Sequence, residues 1–581
     1  MASDPGSANH RGTARPDRPP GSEAFWSEKR LRQWGWFFVA LGAVALSLRY
    51  VLRFPLFLDE AFLSVSYLDR GPLELVRPLE YRQVCPLGFL WVQWAVVRLF
   101  GFSEYALRLF PLLCGLGSLV AFRYLAGLVL AGTSRLLAVG VFSVAYPLVR
   151  YASQAKPYSG DVLVTVLLLI MAIRWHNNPS RPRWLWAMAA SLPVLLAISF
   201  APVFVAGAIS LSVAAVFCFE RRESRVGRSA PPLGEQPDEI MAGLRPTLRP
   251  WLAWLAYNLS LMASLGLFFV LSAGAQREAS KQFMEWYWGL EGAFPPLAEI
   301  GKLPGWLLRQ HAGDMAGYPI GGRSYGSTLT LICVVAGLAA LLRRRQFFVT
   351  SLCLLPLVAN FAAACLKAYP YGGHVRVMLY AAPLFCLLAG SGAAVLLSRV
   401  PTLPNHRHVP VLVTAVLLAI VGTAWPARDM ARPYKMEFCR ESRDFARWFW
   451  TSKSRDAELA CLDTGLGLDF RRESIPGMSW SDLPGASDLF DTSSLYRCNR
   501  AIYGPEGDPP DLTRVSRERP LRCVYFRSWT FHYDEAALGR WLEQMESRYR
   551  LAGRETHRFP ISWLQLDDCF DRVEVYEFVP R

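Results

Sequence analysis

Three short polar islands in an otherwise apolar chain carry the residues that could do chemistry. The first contains two adjacent acids, Asp59 and Glu60, just after an apolar run. Acids beside a membrane are costly to desolvate and are therefore functional candidates, and a carboxylate can take a proton from a hydroxyl group. The same acids could instead cap or solvate the start of the helix that follows. The pattern alone leaves both interpretations open.

The second island, residues 150–161, joins two apolar runs. Pro157 can begin a helix, and Asp161 then lies in its first turn, where the helix dipole favours a negative charge. This explains Asp161 without any function. The functional interpretation is that Lys156 and Asp161 face the same cavity as Asp59.

The third island, residues 367–376, combines two glycines with the basic residues Lys367, His374 and Arg376. Glycines allow close backbone approach, and the basic groups suit a phosphate. A basic turn with tyrosine anchors at the membrane surface would look the same. Residues 284–289 (MEWYWG) fit an interfacial aromatic helix better than a sugar-binding platform.

The elements that must position these islands are apolar. Of the 581 residues, 52% are hydrophobic and 19% are charged, and charge-poor blocks alternate with short basic clusters. This pattern excludes a soluble enzyme, a disordered chain and a fibrous repeat. The net charge is +15. Much of this positive excess lies in short loops between apolar blocks, as in membrane proteins, so no nucleic-acid partner is expected. Eleven segments can span a bilayer, at about 34–52, 107–130, 134–150, 158–174, 184–200, 202–219, 251–273, 327–342, 346–366, 375–397 and 409–426.

One further apolar segment, residues 86–100, is short and carries Arg98. If it lies in the interface as an amphipathic helix, the basic loops fall on the same side as the N-terminal tail, as the positive-inside rule requires. All three polar islands and everything after Trp425 then lie on the outer side. We therefore predict a multi-pass protein of the plasma (inner) membrane with its long loops outside.

Three parts are predicted along the chain. Residues 1–33 are polar and predict a disordered cytoplasmic tail, and residues 34–426 form the transmembrane domain. Residues 427–581 alternate helix-like and strand-like pieces, which predicts a small extracytoplasmic α/β domain. Its predicted helices are at 441–450 and 533–549, and its predicted strands are at 458–462, 522–526 and 573–578. The sequence has no Walker motif and no HExxH motif, which argues against a nucleotide hydrolase or a zincin.

The order of the motifs LDEA (58–61), QVCPLGFL (83–90) and SEYALRL (103–109), with the turns at 153–161 and 369–376, resembles membrane glycosyltransferases of the GT-C fold. The similarity is to the family 39 branch, which includes protein O-mannosyltransferases, aminoarabinose transferases and RgtA/B/C/D-like proteins. It covers roughly residues 34–400 and none of the tail. The fold class predicted is thus an α-helical polytopic membrane protein, GT-C-like, with about 11 transmembrane helices and a C-terminal extracytoplasmic α/β domain.

The resemblance implies transfer of a sugar from a polyprenyl-phosphate carrier to an extracytoplasmic acceptor, which could be a protein, a lipid or a polysaccharide. It places Asp59 and Glu60 in the active cavity, with Asp59 as the favoured catalytic group. Related proteins often carry an acid where this chain has Gln154. That departure leaves Asp161 as a substitute or leaves Asp59 alone.

Transfer from a lipid phosphate needs a base for the acceptor hydroxyl and positive charge for the leaving phosphate. The predicted phosphate-binding residues are Lys156, Arg82, Arg376 and Lys367. The predicted substrate-binding residues are Gln154, Tyr158, Tyr371 and His374. No cofactor is expected, and a divalent metal is not favoured because two acids supply few of the ligands that such an ion needs. The other interpretations are a transporter or lipid flippase, against which the lack of internal symmetry argues, and a non-catalytic scaffold.

Overall fold

A computed structural model describes most of the chain, and helices make up most of the described part. The described residues are 25–226, 237–321, 327–403, 406–435, 437–448, 458–462, 498–499, 501–503, 521–527, 542–543, 545–547, 549–560 and 570–581. In chain order the α-helices are α1 (Glu28–Val51), α2 (Leu58–Ser64), α3 (Ser66–Asp69), α4 (Leu87–Phe100), α5 (Glu104–Val129), α6 (Gly132–Ser143), α7 (Tyr146–Tyr151), α8 (Tyr158–His176), α9 (Arg183–Ile198), α10 (Val203–Val226), α11 (Pro237–Phe268), α12 (Gly274–Leu290), α13 (Leu303–Gln310), α14 (Thr328–Arg343), α15 (Phe347–Cys365), α16 (Ala382–Leu397), α17 (Val409–Ala431) and α18 (Glu437–Trp448).

Every predicted apolar segment coincides with one of these helices or with two consecutive ones. Within the described residues, seven helical segments are long and apolar enough to cross a membrane, and α4, α9, α10 and α14 supply shorter apolar stretches. The third predicted segment is divided into α6 and α7, because Pro147 favours the first turn of a new helix. The prediction of a helical polytopic membrane protein is thereby confirmed. The location of α4 in the membrane interface stays a prediction.

The centre of the bundle is packed through glycines of α16. A methyl group on Gly390 would lie 2.3 Å from the backbone nitrogen of Ala138 in α6. Gly392 lies equally tightly against α14, where Gly337 in turn faces the backbone of α16. Small residues at such contacts let helices approach closely in a bilayer. The helix that follows the third polar island therefore has a fixed position.

The loop between α1 and α5 is packed against the segment that follows the last span. Leu56, Ala61 and Leu87 of the loop share one buried apolar cluster with Phe445 and Ala446 of α18. Burial of such side chains away from water is the main force that holds the two segments together. The C-terminal segment thus supports α2, which carries Asp59 and Glu60.

The C-terminal part contains a four-stranded mixed sheet. Its strands are β1 (Glu458–Leu462), β2 (Leu521–Arg527), β3 (Tyr549–Pro560) and β4 (Phe570–Pro580). The order is β1-β2-β4-β3, with β1 parallel to β2 and the other pairs antiparallel. All three predicted strands are present, and the predicted helix at 441–450 is α18. Most of the predicted helix at 533–549 lies outside the described residues.

The N-terminal helix begins before the predicted end of the polar tail. Ser27 caps α1 by accepting a hydrogen bond from the backbone nitrogen of Arg30, so the helix includes Glu28 and the residues up to the apolar run. Residues 1–24 of the predicted disordered tail lie outside the described part.

Candidate active site

The position of α2 is fixed through Glu60. Its Oε2 accepts a hydrogen bond from the backbone nitrogen of Phe57 at 3.1 Å, which caps the helix that Glu60 itself belongs to. Arg108 of α5 donates to the same carboxylate through Nε and Nη2 at 3.0 to 3.1 Å, and the backbone nitrogen of Ala155 donates at 2.9 Å. Glu60 is 2% exposed. Its carboxylate therefore ties α2 to α5 and to the second island, which leaves Asp59 as the acid of this pair that faces other charges.

Asp59 meets the third island through an ion pair. Its Oδ2 lies 2.9 Å from Nη1 of Arg376, and the side chain of Asp59 is 21% exposed. Its other oxygen, Oδ1, is buried and accepts no hydrogen bond from any described residue. A buried acceptor without a donor is costly, and such atoms are commonly completed by water or a ligand. Asp59 thus has one oxygen in an ion pair with Arg376 and one oxygen that accepts no hydrogen bond from the described residues.

Cations surround this carboxylate. Burial alone would raise the pKa of Asp59, but nearby positive charges outweigh it and lower the pKa below its ordinary value. The cations that lower it are, in decreasing order, Lys435, Lys156, Arg376 and Arg150. Asp59 is therefore ionised at neutral pH, and the surroundings of this single carboxylate carry excess positive charge suited to an anion.

Arg376 is held by an aromatic helix. Its Nη2 donates to the hydroxyl of Tyr287 in α12 at 3.0 Å, and its guanidinium lies 5.5 Å from the ring centroid of Trp288. The Nε of Arg376 is buried and donates to no described residue. The segment 284–289, predicted as an interfacial aromatic helix, therefore also packs against a charged group of this site.

The glycines of the third island shape the turn that presents Arg376. Gly372 and Gly373 have φ angles of +75° and +72°, which side-chain-bearing residues rarely adopt. Gln310 of α13 accepts a hydrogen bond from the backbone nitrogen of Gly373 at 2.6 Å. Tyr371 is 3% exposed, and its hydroxyl lies 3.2 Å from Nε2 of His311. Tyr371 therefore supports the turn from within the protein.

The basic residue of the second island reaches the first loop. Lys156 is 7% exposed, and its Nζ donates to Oε1 of Gln83 at 2.7 Å. Burial lowers the pKa of Lys156, while the nearby Asp59 acts in the opposite direction. Gln154 is buried, and its carbonyl accepts a hydrogen bond from the backbone nitrogen of Lys156 at 2.8 Å. The contact with Gln83 joins the second island to the first loop, and the hydrogen bond from Ala155 to Glu60 joins it to the first island.

His374 and Tyr158 each lie near the ring of Tyr151. The ring centroids of His374 and Tyr151 are 6.3 Å apart, and those of Tyr158 and Tyr151 are 5.3 Å apart. Nδ1 of His374 also accepts a hydrogen bond from the backbone nitrogen of Arg376 at 3.2 Å. His374 therefore contacts the site through Arg376, and Tyr158 is the first residue of α8.

The remaining predicted site residues have other surroundings. Asp161 accepts a hydrogen bond from the hydroxyl of Ser199, at the end of α9. Lys367 is 59% exposed and lies 3.8 Å from Glu285. The guanidinium of Arg82 forms no hydrogen bond or ion pair with any residue that the structure describes. Among the predicted residues, Asp59, Lys156 and Arg376 are thus the ones that the fold brings into one charged cluster.

Lys435 is the main member of the cluster that sequence reasoning missed. It follows Arg432, only a few residues beyond the last span, on the side predicted to be outside. Cations next to a span normally mark the cytoplasmic side. Three basic residues on the opposite side, Arg428, Arg432 and Lys435, were the available signal for a special role.

The described residues contain no group of three or more His, Cys, Asp and Glu side chains that could hold a metal ion. At this site the neighbours of Asp59 are cations, which would oppose a metal ion beside it. Whether the protein uses a metal stays a prediction.

Comparison with known proteins gives structural likenesses only. No family model and no curated protein matches the chain. The structure is similar to ArnT from Cupriavidus metallidurans, solved bound to undecaprenyl phosphate and in the apo state, with 13% identity, a TM-score of 0.45, and coverage of 94% of this chain and 98% of that chain. It is also similar to the archaeal oligosaccharyltransferase AglB from Archaeoglobus fulgidus, in complex with an inhibitory peptide and a dolichol-phosphate, with 12% identity, a TM-score of 0.36, and coverage of 72% and 58%.

Proposed function

We propose that this protein is a membrane glycosyltransferase that moves a sugar from a polyprenyl-phosphate carrier to an acceptor outside the cytoplasm. The observation that carries the proposal is the cluster in which an ionised Asp59 meets Lys156 and Arg376, each from a different part of the chain. A carboxylate that can accept a proton, next to cations that can hold a phosphate, is the pair of functions that this reaction requires.

The cations would bind the carrier phosphate. Arg376 has five N–H groups: Nη1 and Nη2 each donate one hydrogen bond, to Asp59 and Tyr287, and Nε has no acceptor among the described residues. Guanidinium groups recognise phosphate oxygens through two parallel hydrogen bonds. Lys156, from the second island, adds a second positive charge on a compact ammonium group. Together they stabilise the negative charge that develops on the leaving phosphate, so no strong general acid is required there.

Asp59 would act as the base. The acceptor hydroxyl gives its proton to the carboxylate while its oxygen forms the new bond to the anomeric carbon. The bond from that carbon to the carrier phosphate breaks, and its electron pair leaves with the phosphate. Arrival of an anion beside Lys156 and Arg376 partly neutralises the charges that lower the pKa of Asp59, so the carboxylate becomes a better base when the donor is bound.

The decisive experiment replaces Asp59 by Asn in the full chain and expresses it in a strain lacking the native gene. Envelope glycans are compared by mass spectrometry, and the transferred sugar is the one that the deletion removes and the wild type restores. We expect Asp59→Asn to lower transfer about 1000-fold, within the range for a general base. Normal transfer by this variant at normal protein levels would refute the role of Asp59.

A matched control is Glu299→Gln, because Glu299 is an exposed acid of a loop predicted to lie outside, and its ion-pair partner among the described residues is the exposed Lys302 at 2.5 Å. It should transfer sugar like the wild type. A flippase would give a different result: lipid carrier would cross the bilayer of liposomes holding the wild-type protein, with no new glycosidic bond formed in any assay.

A further inference from the structure

The short connection between α17 and α18 places a lysine beside Asp59. Nζ of Lys435 lies 3.0 Å from the ring centroid of Phe57, the residue that precedes α2. Among the cations that act on Asp59, Lys435 has the largest effect. This lysine lies outside all three polar islands and has no part in the reaction as described so far.

The connection is anchored on both of its sides. Before it, Asp429 of α17 forms a buried ion pair with Arg49 of α1 at 2.5 Å, and Arg49 also donates to the hydroxyl of Ser153 at 2.7 Å. After it, Arg443 of α18 donates to the backbone carbonyl of Arg53 at 2.6 Å. Lys435 is therefore held between two fixed points and is not a lysine on a free surface loop.

The ammonium group of Lys435 has no anionic hydrogen-bond partner within the described part of the chain; its direct contact there is the face of Phe57. Burial lowers its pKa to about 8; Asp59 acts against this lowering, and Arg150 and Arg376 add to it. Cations that lie close together in a partly buried place repel one another, and the single carboxylate of Asp59 offsets only part of their charge. A further anion, such as a phosphate, would therefore be attracted to this group of charges.

We propose that Lys435 binds the phosphate of the lipid-linked donor, so that a residue from beyond the last membrane span completes the phosphate site. This inference rests on the proposed function and deepens it. It assigns to the start of the C-terminal part a direct contact with substrate, in addition to its packing against α2.

The test measures binding of undecaprenyl phosphate to the full-length protein in detergent. Lys435→Gln removes the charge and keeps most of the side chain, Lys435→Arg keeps the charge, and Arg432→Gln removes an exposed charge from the same connection. We expect Lys435→Gln to weaken binding about tenfold, as for loss of one charged hydrogen bond, and Lys435→Arg and Arg432→Gln to change it less than threefold. Size-exclusion profiles and thermal unfolding verify that each variant is folded.

A second readout separates contact from a structural effect. Between pH 7 and pH 9 Lys435 loses its proton as the pH passes about 8, so binding to the wild type should weaken more than binding to Lys435→Arg. The other charged or titratable groups that face Lys435, namely Asp59, Arg150, Arg376 and Cys439, are the same in both proteins. Identical pH profiles would argue that Lys435 does not touch the phosphate.

The outcomes for the two proposals differ. If the wild type does not bind undecaprenyl phosphate, the proposed donor class is wrong. If the wild type binds it and Lys435→Gln binds equally well, the role of Lys435 is refuted while the proposed function stands. Equal weakening in Lys435→Gln and Arg432→Gln would indicate general surface charge, and would also overturn the inference.

Discussion

Asp59 and Glu60 are neighbours in sequence, yet they have opposite surroundings. The carboxylate of Glu60 is filled by hydrogen bonds from Arg108 and from two backbone nitrogens. Asp59 keeps a buried oxygen with no donor among the described residues and faces several cations. Two identical charges thus have different surroundings: the carboxylate of Glu60 holds the fold together, and that of Asp59 is the base of the proposed reaction.

Arg376→Gln should change the pH dependence of transfer. Arg376 is one of the cations that lower the pKa of Asp59, so its removal raises that pKa. Because the base must be ionised, activity is lost as the pH falls through the pKa of Asp59. The acidic limb of the pH–rate profile should therefore move to higher pH in Arg376→Gln than in the wild type.

The control for this prediction is Arg376→Lys, which keeps the positive charge but cannot bind both Asp59 and Tyr287 in the geometry of the fork. It should lower the maximal rate, by about tenfold for one lost charged hydrogen bond, with a smaller displacement of the acidic limb. An unchanged limb in Arg376→Gln would show that Asp59 is not the titrating base.

At the scale of elements, the buried ion pair between Glu60 and Arg108 fixes the position of α2. The turn before α16 has its shape because Gly372 and Gly373 adopt positive φ angles. Neither α2 nor the turn is long enough to fix its own orientation, since short helices have little stability alone. Their positions come from contacts with α5, α13 and α18. Changes in these contacts should therefore act on the site from a distance.

Glu60→Gln should reduce stability more than it reduces catalysis. It leaves Arg108 as a buried charge without its counter-ion, which costs about 3–5 kcal/mol in comparable cases. Thermal unfolding in detergent should show a clearly lower midpoint. Activity per folded molecule should fall far less than in Asp59→Asn. Equal losses of activity per folded molecule in the two variants would contradict the structural role of Glu60.

Gly372→Ala should displace the turn that carries Arg376. The residue has a φ of +75°, and an added Cβ would lie 2.2 Å from Oε1 of Gln310. Left-handed backbone and a clash together cost about 1–3 kcal/mol. Transfer should fall together with the affinity for lipid phosphate. Gly289→Ala is the control, because nothing lies within 4 Å of a Cβ added at this position in α12, and it should behave like the wild type.

At the scale of the whole molecule, the site needs segments that lie far apart in the chain to meet on one side of the bundle. Asp59 precedes most of the spans, Arg376 lies before α16, and Lys435 follows the last span. The predicted topology puts all of them outside.

Reporter fusions test this topology. Alkaline phosphatase joined after Glu299 or after Arg581 should be active, because this enzyme works only outside the cytoplasm of bacteria. The same reporter joined after Arg345, in the basic turn between α14 and α15, should be inactive. Activity at Arg345 and none at Glu299 would place the site on the cytoplasmic side and exclude the proposed reaction.

Much of the architecture could be predicted from the sequence because it depends on local patterns. The apolar segments were identified by their length, and the strands Glu458–Leu462 and Leu521–Arg527 by their β-forming residues. The polar islands were evident because charge is rare in their surroundings. Of the candidate residues in these islands, Asp59, Lys156 and Arg376 meet in one cluster, whereas Lys367 lies on the surface beside Glu285.

The rest was decided by tertiary structure. Adjacent residues of a helix point in directions about 100° apart, and which of Asp59 and Glu60 faces the cations depends on Arg108, which comes from another helix. The position of Lys435 depends on the ion pair between Arg49 and Asp429, which joins the first and last spans. The sequence by itself determined which segments enter the membrane, because that depends on the solvation of each segment alone. Only the packing of distant segments could decide which charges meet, because attraction between charges depends on distances that no local pattern contains.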